Sequence, residues 1–301
     1  MMATAWLVVN ADDLGVSKGT TLGILKAYHE GIVTSASLAL TTPFYTHALE
    51  TCVHACPDLG IGLHFTLTSG APVSDLRQVP LLVDTTGQFR WRFVTLLAAA
   101  GIQKQPALLK QIEIELEAQL TRLLSDGIRP DHINGERHVH LIPGIFECVV
   151  AAAQRHKVPY VRIGRDIGNR YFSARDAPGI IHNLGFAKSW LLSRLSTKKH
   201  VQLAGKLTSP DHVASYLYTG RTDIILPRLM GAPAVAGVTE VMVHPGLPEE
   251  NGPLALGNRE LERYLMSPDR HAELDACIAA RTLPSGWRLT NYRQLAAEVL
   301  A

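Results

Sequence analysis

Five short stretches of this 301-residue chain carry side chains that can bind a metal or move a proton. Asn10-Ala11-Asp12-Asp13-Leu14-Gly15 sets two carboxylates side by side, and Gly62-Leu63-His64 ends on an imidazole. Asn134-Gly135-Glu136-Arg137-His138-Val139-His140 offers a carboxylate and two further imidazole positions in alternation. Arg162 follows Tyr160-Val161, and His244 precedes Pro245-Gly246. Adjacent carboxylates suit a split role, one as metal ligand and the other as base, when their environments push their pKa values apart. If residues 136–140 are extended, alternation puts Glu136, His138 and His140 on one side, where they could serve as ligands together. The chemistry such a set permits is metal-assisted amide hydrolysis. A divalent ion polarises the carbonyl and acidifies a water; a carboxylate takes the water proton, and a histidinium returns one to the departing amine.

Each stretch also has a plainer reading. Asp12 and Asp13 could cap the next helix, His64 could be a core histidine, and His244 could be a turn residue. Rival chemistries find no footing in the sequence. There is no GxSxG elbow and no diagnostic Cys–His spacing, and no GxxxxGK[ST] or GxGxxG loop.

The elements expected to position these residues alternate. Short apolar runs predict strands at Trp6–Asn10, Ser35–Leu40, Ile61–Leu67, His132–Asn134, Tyr160–Ile163, Glu240–His244 and Trp287–Thr290. Helical patterns lie around Leu22, Leu25 and Tyr28. A second begins at Pro106 with a stripe of Leu109, Ile112, Leu116, Leu120, Leu123 and Leu124, closed by Gly127 and Pro130. Such alternation argues for parallel strands joined by helical crossovers. Every chemical cluster then falls at the carboxyl end of a strand, where parallel barrels build their sites. Two stretches break the pattern, residues 68–105 and 165–221; long connections of this kind usually shape or cover a substrate site.

Composition fits one soluble globular domain over residues 1–301: 47% hydrophobic, 19% charged, net charge +2. That balance gives no reason to expect nucleic acid as a partner. Cys52, Cys56, Cys148 and Cys277 fit neither a metal pair nor a disulfide framework, so buried reduced thiols are expected. The apolar run at the start is short, lacks Lys and Arg, and ends at Asn10. It matches neither a signal peptide nor a membrane span, and a cytoplasmic protein is expected.

Taken together, the clusters resemble the YdjC-like carbohydrate deacetylases, which include chitooligosaccharide deacetylases and hopanoid-biosynthesis-associated deacetylases. Residues 10–15 resemble the family's NADDFG opening, and Ile32-Val33-Thr34-Ser35-Ala36-Ser37 its next segment. Gly62-Leu63-His64, the histidine-rich stretch from Pro130 to His140, Tyr160-Val161-Arg162, and Val241-Met242-Val243-His244-Pro245-Gly246 resemble later motifs. The resemblance runs from Trp6 to about Gly246. It implies an α/β fold, a distorted (β/α) barrel of the polysaccharide-deacetylase type. It also implies one divalent metal ion, zinc or magnesium, and an N-acetylated amino sugar as substrate, either an oligosaccharide or a lipid-linked glycan. By resemblance Asp12 is the base, Asp13 and His64 are metal ligands, His244 is the acid, and Arg162 orients the base or contacts substrate.

One departure stands out. The family's third motif usually reads Asp-Ser-His-x-His-x-His or Asn-Ala-His-x-His-x-His; its first histidine is the expected third ligand, and this chain has Glu136 there. Glu136 can bind the same metals, or His138 takes the place; the weakest reading is that the metal is lost. The alternatives are thus a non-catalytic sugar- or lipid-binding relative of the same fold, or a metal hydrolase of another amide or ester. Finally, residues 187–206 set Trp190, Leu191, Leu192 and Leu195 beside Lys188, Arg194, Lys198 and Lys199. A helix packed on the barrel explains this stripe; so does peripheral contact with an anionic membrane. A homodimer is left open.

Overall fold

The computed structural model describes residues 4–182, 185–203, 207–249, 258–281 and 286–300. Among the described residues nine strands form one sheet: β1 (Ala5–Leu14), β2 (Ser35–Leu38), β3 (Gly60–Phe65), β4 (His132–Gly135), β5 (Tyr160–Val161), β6 (Arg165–Asp166), β7 (His212–Val213), β8 (Gly237–Val243) and β9 (Arg288–Thr290). Their order is β5-β4-β3-β2-β1-β8-β7-β6, with β9 added beside the first half of β1. All the strand pairs are parallel. The two ends of that order, β5 and β6, are separated along the chain by only Arg162, Ile163 and Gly164. A flat sheet could not satisfy this; the sheet must roll until its edges nearly meet, which is a distorted β/α barrel. The joining residues are held from both sides, Arg162 N–H donating to Ile133 O at 2.9 Å and Arg165 N–H to Asp211 O at 3.3 Å.

The helices are α1 (Lys18–His29), α2 (Tyr45–Ala48), α3 (Phe93–Leu96), α4 (Pro106–Ser125), α5 (Ile145–Arg155), α6 (Ala177–His182), α7 (Gly185–Leu203), α8 (Thr222–Gly231), α9 (Arg259–Leu265), α10 (Pro268–Ala280) and α11 (Tyr292–Leu300). Ser17 caps α1, its hydroxyl accepting from Thr20 N–H at 3.0 Å. Pro106 starts α4, as its fixed φ and missing N–H allow. The buried stripe of α4 is Leu108, Ile112, Leu116, Leu120 and Leu123. Leu109 is only partly buried and Leu124 faces solvent, so the stripe is set one position from the expected start and excludes its expected end.

Side-chain parity along the strands separates two environments. Leu7, Val9 and Ala11 of β1, Ala36 and Leu38 of β2, Ile61 and Leu63 of β3, and Val241 and Val243 of β8 belong to the main apolar core. The opposite parity carries Asn10, Asp12, Ser37, His64, His132, Asn134, Arg162 and Glu240, which bond to one another across the barrel. The interior is therefore polar, and at its base Tyr292 of α11 packs on Val8 and Tyr160.

The structure adjusts several expectations. β1 runs on through Asp12 and Asp13 to Leu14, with an irregular register against β2 between Ala11 and Leu14. The strands expected to reach Leu40, Leu67, Ile163 and His244 stop earlier, and β6 and β7, each two residues long, carry too little pattern to be legible. Cys52, Cys56 and Cys277 are buried and free, whereas Cys148 is free but only half-buried. In α7, Ser189, Leu192 and Ser196 are buried while Trp190 is 64% exposed and Phe186 43%. The side chains of Lys198 and Lys199, and Lys206 as a whole, lie outside the described residues. Among the described residues no helix is long and apolar enough to cross a membrane.

Gly62 shows how tightly the interior is filled. A Cβ there would lie 2.3 Å from the His132 ring. Gly62→Ala is expected to lower stability by about 1–3 kcal/mol through overpacking. Gly231→Ala, whose Cβ meets nothing within 4 Å, should leave the urea midpoint unchanged or slightly raised. Equal midpoints for the two variants would refute this account of the barrel interior.

Candidate active site

The site begins at Asp12, which points into the barrel from β1. Arg162 donates to it through both terminal nitrogens, Nη1 to Oδ2 at 2.6 Å and Nη2 to Oδ1 at 2.5 Å. Asn10 Nδ2 adds a bond to Oδ1 at 2.8 Å and Asn134 Nδ2 another at 3.2 Å. Burial works to raise the Asp12 pKa, but the Arg162 guanidinium overrides it and holds the carboxyl far below the usual range. Asp12 is thus ionised throughout the neutral range, a precisely held but weakly basic carboxylate. Arg162 in turn donates Nε–H to Glu240 Oε1 at 2.7 Å, and Tyr292 O–H donates to Glu240 Oε2 at 2.6 Å. His140 Nε2 lies 2.8 Å from the Arg162 carbonyl.

Asp13 leaves the strand with φ 69°, a left-handed conformation that an aspartate tolerates better than most residues. Its Oδ1 lies 3.2 Å from His64 Nε2. On the other side of the ring, His64 Nδ1 lies 2.7 Å from Asn134 Oδ1. The Asn134 orientation is fixed, because its Nδ2 donates to Ser37 Oγ and Asp12 Oδ1. An amide oxygen can only accept, so the His64 proton sits on Nδ1 and Nε2 faces the Asp13 carboxylate with a lone pair. A lone pair opposite a carboxylate oxygen calls for a positive charge between them, either a proton or a cation. With the proton in place, burial opposes the charged ring but the bond to Asp13 and the nearby Asp12 charge raise the His64 pKa to about 9. With a metal, the same tautomer is the one that a ligating histidine adopts when its other nitrogen donates to a neighbour.

Residues 136–141 form a tight 3-10 turn, with Arg137 at φ 49° and His138 at φ 61°. The expectation of an extended segment with three side chains on one side fails here: β4 stops at Gly135, and the left-handed pair cancels strand alternation. Glu136 accepts from Thr68 Oγ1 at 2.5 Å and Ser69 Oγ at 2.7 Å. His140 supports Arg162. His138 packs its ring edge-on against Tyr216, and its Nδ1 is buried without a hydrogen-bond partner. Burial first, then the Arg162 charge, lowers the His138 pKa to about 3, so the ring is neutral. Among the described residues no three His, Cys, Asp or Glu side chains are gathered closely enough to hold an ion as they stand.

His244 follows the last residue of β8. Its backbone N–H donates to Glu273 Oε2 of α10 at 2.5 Å, and its Nδ1 lies 3.5 Å from the same oxygen, close enough to pair but not aligned as a hydrogen bond. Burial opposes ionisation of Glu273, yet Arg270 and His244 lower its pKa to about 2. His244 also lies within electrostatic reach of Asp12 and Asp13.

Exposure sorts this set. Asp12, Asp13, His64 and His244 keep 3–7% of their surface, enough to touch a small molecule, while Asn134, Arg162 and Glu240 keep none and act from behind. Glu240, Glu273, Tyr292, Thr68 and Ser69 escaped the sequence reading. Glu240 left a signal, an acid within an apolar strand; Glu273 left none, since an acid in a charged helix is ordinary. The loop after β3 is pinned by α4, where buried Glu115 accepts from Val73 and Ser74 N–H and Gln119 bonds Thr66. A cavity of about 570 Å³ opens beside Thr68, Ser69 and Arg137; Asp12 and Asp13 are not in its lining, and Thr68 and Ser69 bond Glu136.

A family described as YdjC-like protein matches residues 6–283. A carbohydrate deacetylase of Brevibacillus brevis is 37% identical over 197 residues, 65% of this chain and 74% of that relative. A carbohydrate deacetylase of Geobacillus stearothermophilus is 42% identical over 51% of this chain and 58% of its own length. A chitooligosaccharide deacetylase of Proteus mirabilis is 34% identical over 60% of this chain and 66% of its own length. The chain therefore spans as little as 58% of a curated relative it matches. A crystal structure from Enterococcus faecalis, described as a cellobiose-phosphate cleavage protein, superposes with TM-score 0.68 at 25% identity, covering 97% of this chain and 99% of that one.

Arg162→Met removes the buried cation while keeping an apolar stem. It should lower unfolding stability by about 3–5 kcal/mol, because Asp12 and Glu240 stay buried without their partner. Tyr292→Phe, which removes only the hydroxyl on Glu240, should cost about 1–3 kcal/mol. Guanidinium unfolding measures both, and a smaller loss for Arg162→Met than for Tyr292→Phe would contradict the central place given to Arg162.

Proposed function

Since the chain belongs to the YdjC-like protein family, we propose that it is a carbohydrate deacetylase, a metal-dependent hydrolase that cleaves the N-acetyl amide of an amino sugar. The observation that carries this reading is the buried junction of Asp12, Asp13, His64 and His244 in a chain whose relatives bear that name. Water adds to the acetyl carbon, the C–N bond breaks, and acetate and a free amine leave.

Asp13 and His64 are the residues that would hold a divalent ion: a carboxylate and an imidazole whose Nε2 faces that carboxylate while Nδ1 donates to Asn134. The third position falls to Glu136 or His138. His138 has the stronger claim, being neutral with an unpartnered nitrogen, whereas both Glu136 oxygens already accept from hydroxyls. Bound there, zinc or magnesium would polarise the acetyl carbonyl and make a water more acidic. Asp12 accepts the water proton, and Arg162 fixes its direction. His244, oriented by Glu273, delivers a proton to the departing nitrogen. Arg162 is fully buried behind Asp12, so its part is to position the base, not to contact the sugar.

Asp12→Asn should cut acetate release from N-acetylated chitooligosaccharides roughly a hundredfold or more, with fold and metal content kept and the melting temperature lowered, because Arg162 loses one of its two buried counter-charges. Asp13→Asn should lose the metal by elemental analysis. Near-normal turnover by Asp12→Asn would refute the role of the base.

The finer question is whether the glycan is soluble or lipid-linked. The exposed face made by Phe172, Ile181, Phe186 and Trp190 favours contact with a lipid surface. Phe172 and Phe186 pack edge to face with ring centroids 5.5 Å apart, and Arg194 lies over the Trp190 ring. Trp190→Ser/Phe186→Ser should weaken co-sedimentation with anionic vesicles at low salt, while turnover of soluble chitooligosaccharides stays unchanged. Absence of wild-type binding at low salt would assign the substrate to the soluble class.

A further inference from the structure

Tyr264 of α9 reaches the site from a part of the chain that carries none of the clusters described above. It is partly exposed, and its ring meets the His244 ring edge to face, with centroids 5.7 Å apart and planes at 85°. It also packs against the small cluster of Val16, Ala39, Leu261 and Leu265, and Val16 N–H bonds Asp13 O at 3.0 Å. Buried Arg270 stacks over the phenol, its guanidinium carbon 4.3 Å from the ring centre, and donates Nη1–H to the phenol oxygen at 2.9 Å. The same nitrogen donates to His244 O at 3.1 Å, so one guanidinium sets Tyr264 and His244 against each other. A guanidinium has no acceptor. The Tyr264 proton is therefore not engaged by Arg270, and among the described residues it has no other acceptor. Burial holds the phenol protonated, its pKa well above the usual range in spite of the Arg270 charge, and Asp13 and Asp12 lie within its electrostatic reach. Arg263, the preceding residue, lines the cavity beside Thr68 and Ser69, so α9 borders open space as well as His244.

We infer that Tyr264 is a further catalytic residue, whose hydroxyl donates a hydrogen bond to the acetyl oxygen of the substrate as water adds to the acetyl carbon. The assignment rests on the deacetylase reading for its substrate and on the contacts of Tyr264 for its donor. The acetyl oxygen and the departing nitrogen share one carbon. A donor set against His244 is therefore placed for the oxygen while His244 serves the nitrogen. As the tetrahedral intermediate forms, that oxygen takes up negative charge, and a fixed donor there gains strength at the top of the barrier. Accepting from a guanidinium polarises the phenol O–H and makes it a stronger donor. The phenol keeps its proton throughout, so no step depends on its ionisation.

The test pairs steady-state turnover of N-acetylated chitooligosaccharides with titration calorimetry, on metal-loaded wild type and Tyr264→Phe. The substitution keeps the ring against His244 and under Arg270 and removes only the hydroxyl. The calorimetric ligands are N-acetylglucosamine and the methylphosphonamidate of glucosamine, whose tetrahedral phosphorus carries an oxygen where the intermediate would. Tyr264→Phe should lower kcat about a hundredfold with KM kept. It should also weaken the phosphonamidate about tenfold or more while N-acetylglucosamine binds as before. An unchanged kcat overturns the assignment. So does an equal loss of affinity for both ligands, which would make Tyr264 a plain sugar contact. Phosphonamidate binding that depends on Tyr264, without acetate release, would sink only the deacetylase reading. Acetate release that Tyr264→Phe leaves intact would sink only the role of Tyr264, and wild type showing neither binding nor release would sink both.

Discussion

A guanidinium with no exposed surface, held between carboxylates from two strands, is the constraint around which this barrel is arranged. A charge so buried is tolerable only when paired and fully hydrogen-bonded. Arg162 meets that condition by drawing Asp12 from β1 and Glu240 from β8 toward one point, with Tyr292 completing the far side of Glu240. The same residue opens the short segment that brings the two ends of the sheet together, and its backbone bonds to β4. Closure of the barrel and orientation of the carboxylate at its mouth are therefore one event. If the edges parted, Asp12 would lose its direction as well as its partner.

The geometry around that point divides labour by depth. Asn134 illustrates it: one side chain reads His64, Ser37 and Asp12 at once, fixing a tautomer on one side and a carboxylate on the other. The residues nearer the opening are held in less comfortable conformations. Asp13 and His138 both lie at positive φ, and such backbone persists only where neighbours over-determine it. Strain at the mouth lies over a floor tied by the bonds among Asp12, Arg162, Glu240 and Asn134.

The residues proposed to carry this chemistry were legible in the sequence, and their supports were not. Strand-end position was enough to pick out Asp12, Asp13, His64, Arg162 and His244, because polar residues at the ends of apolar runs stand against their surroundings. The long strands stood out as apolar runs, and residues 6–10 lie within β1 as expected. What failed was local: periodicity assigns nothing to a strand of two residues, and it cannot foresee the left-handed turn that separates Glu136 from His138. The supports Glu240, Glu273 and Tyr292 were hidden for another reason. Their importance lies in pairings across 29 to 78 positions of sequence, and no spacing rule reaches that far.

The placement of β1 has a further consequence for how the protein is made. In the finished sheet Ala5 of β1 faces Gly237 of β8, and Trp6 faces Arg288 of β9. A ribosome adding roughly 5–20 residues per second delivers those partners on the order of ten to fifty seconds after β1 itself. During that interval one flank of Leu7, Val8 and Val9 offers unsatisfied amides and apolar side chains to any other nascent strand. The centre of the barrel is thus synthesised before the strands that flank it and is among the last parts to be completed, and the growing chain is most open to mispairing along the strand that will carry Asp12.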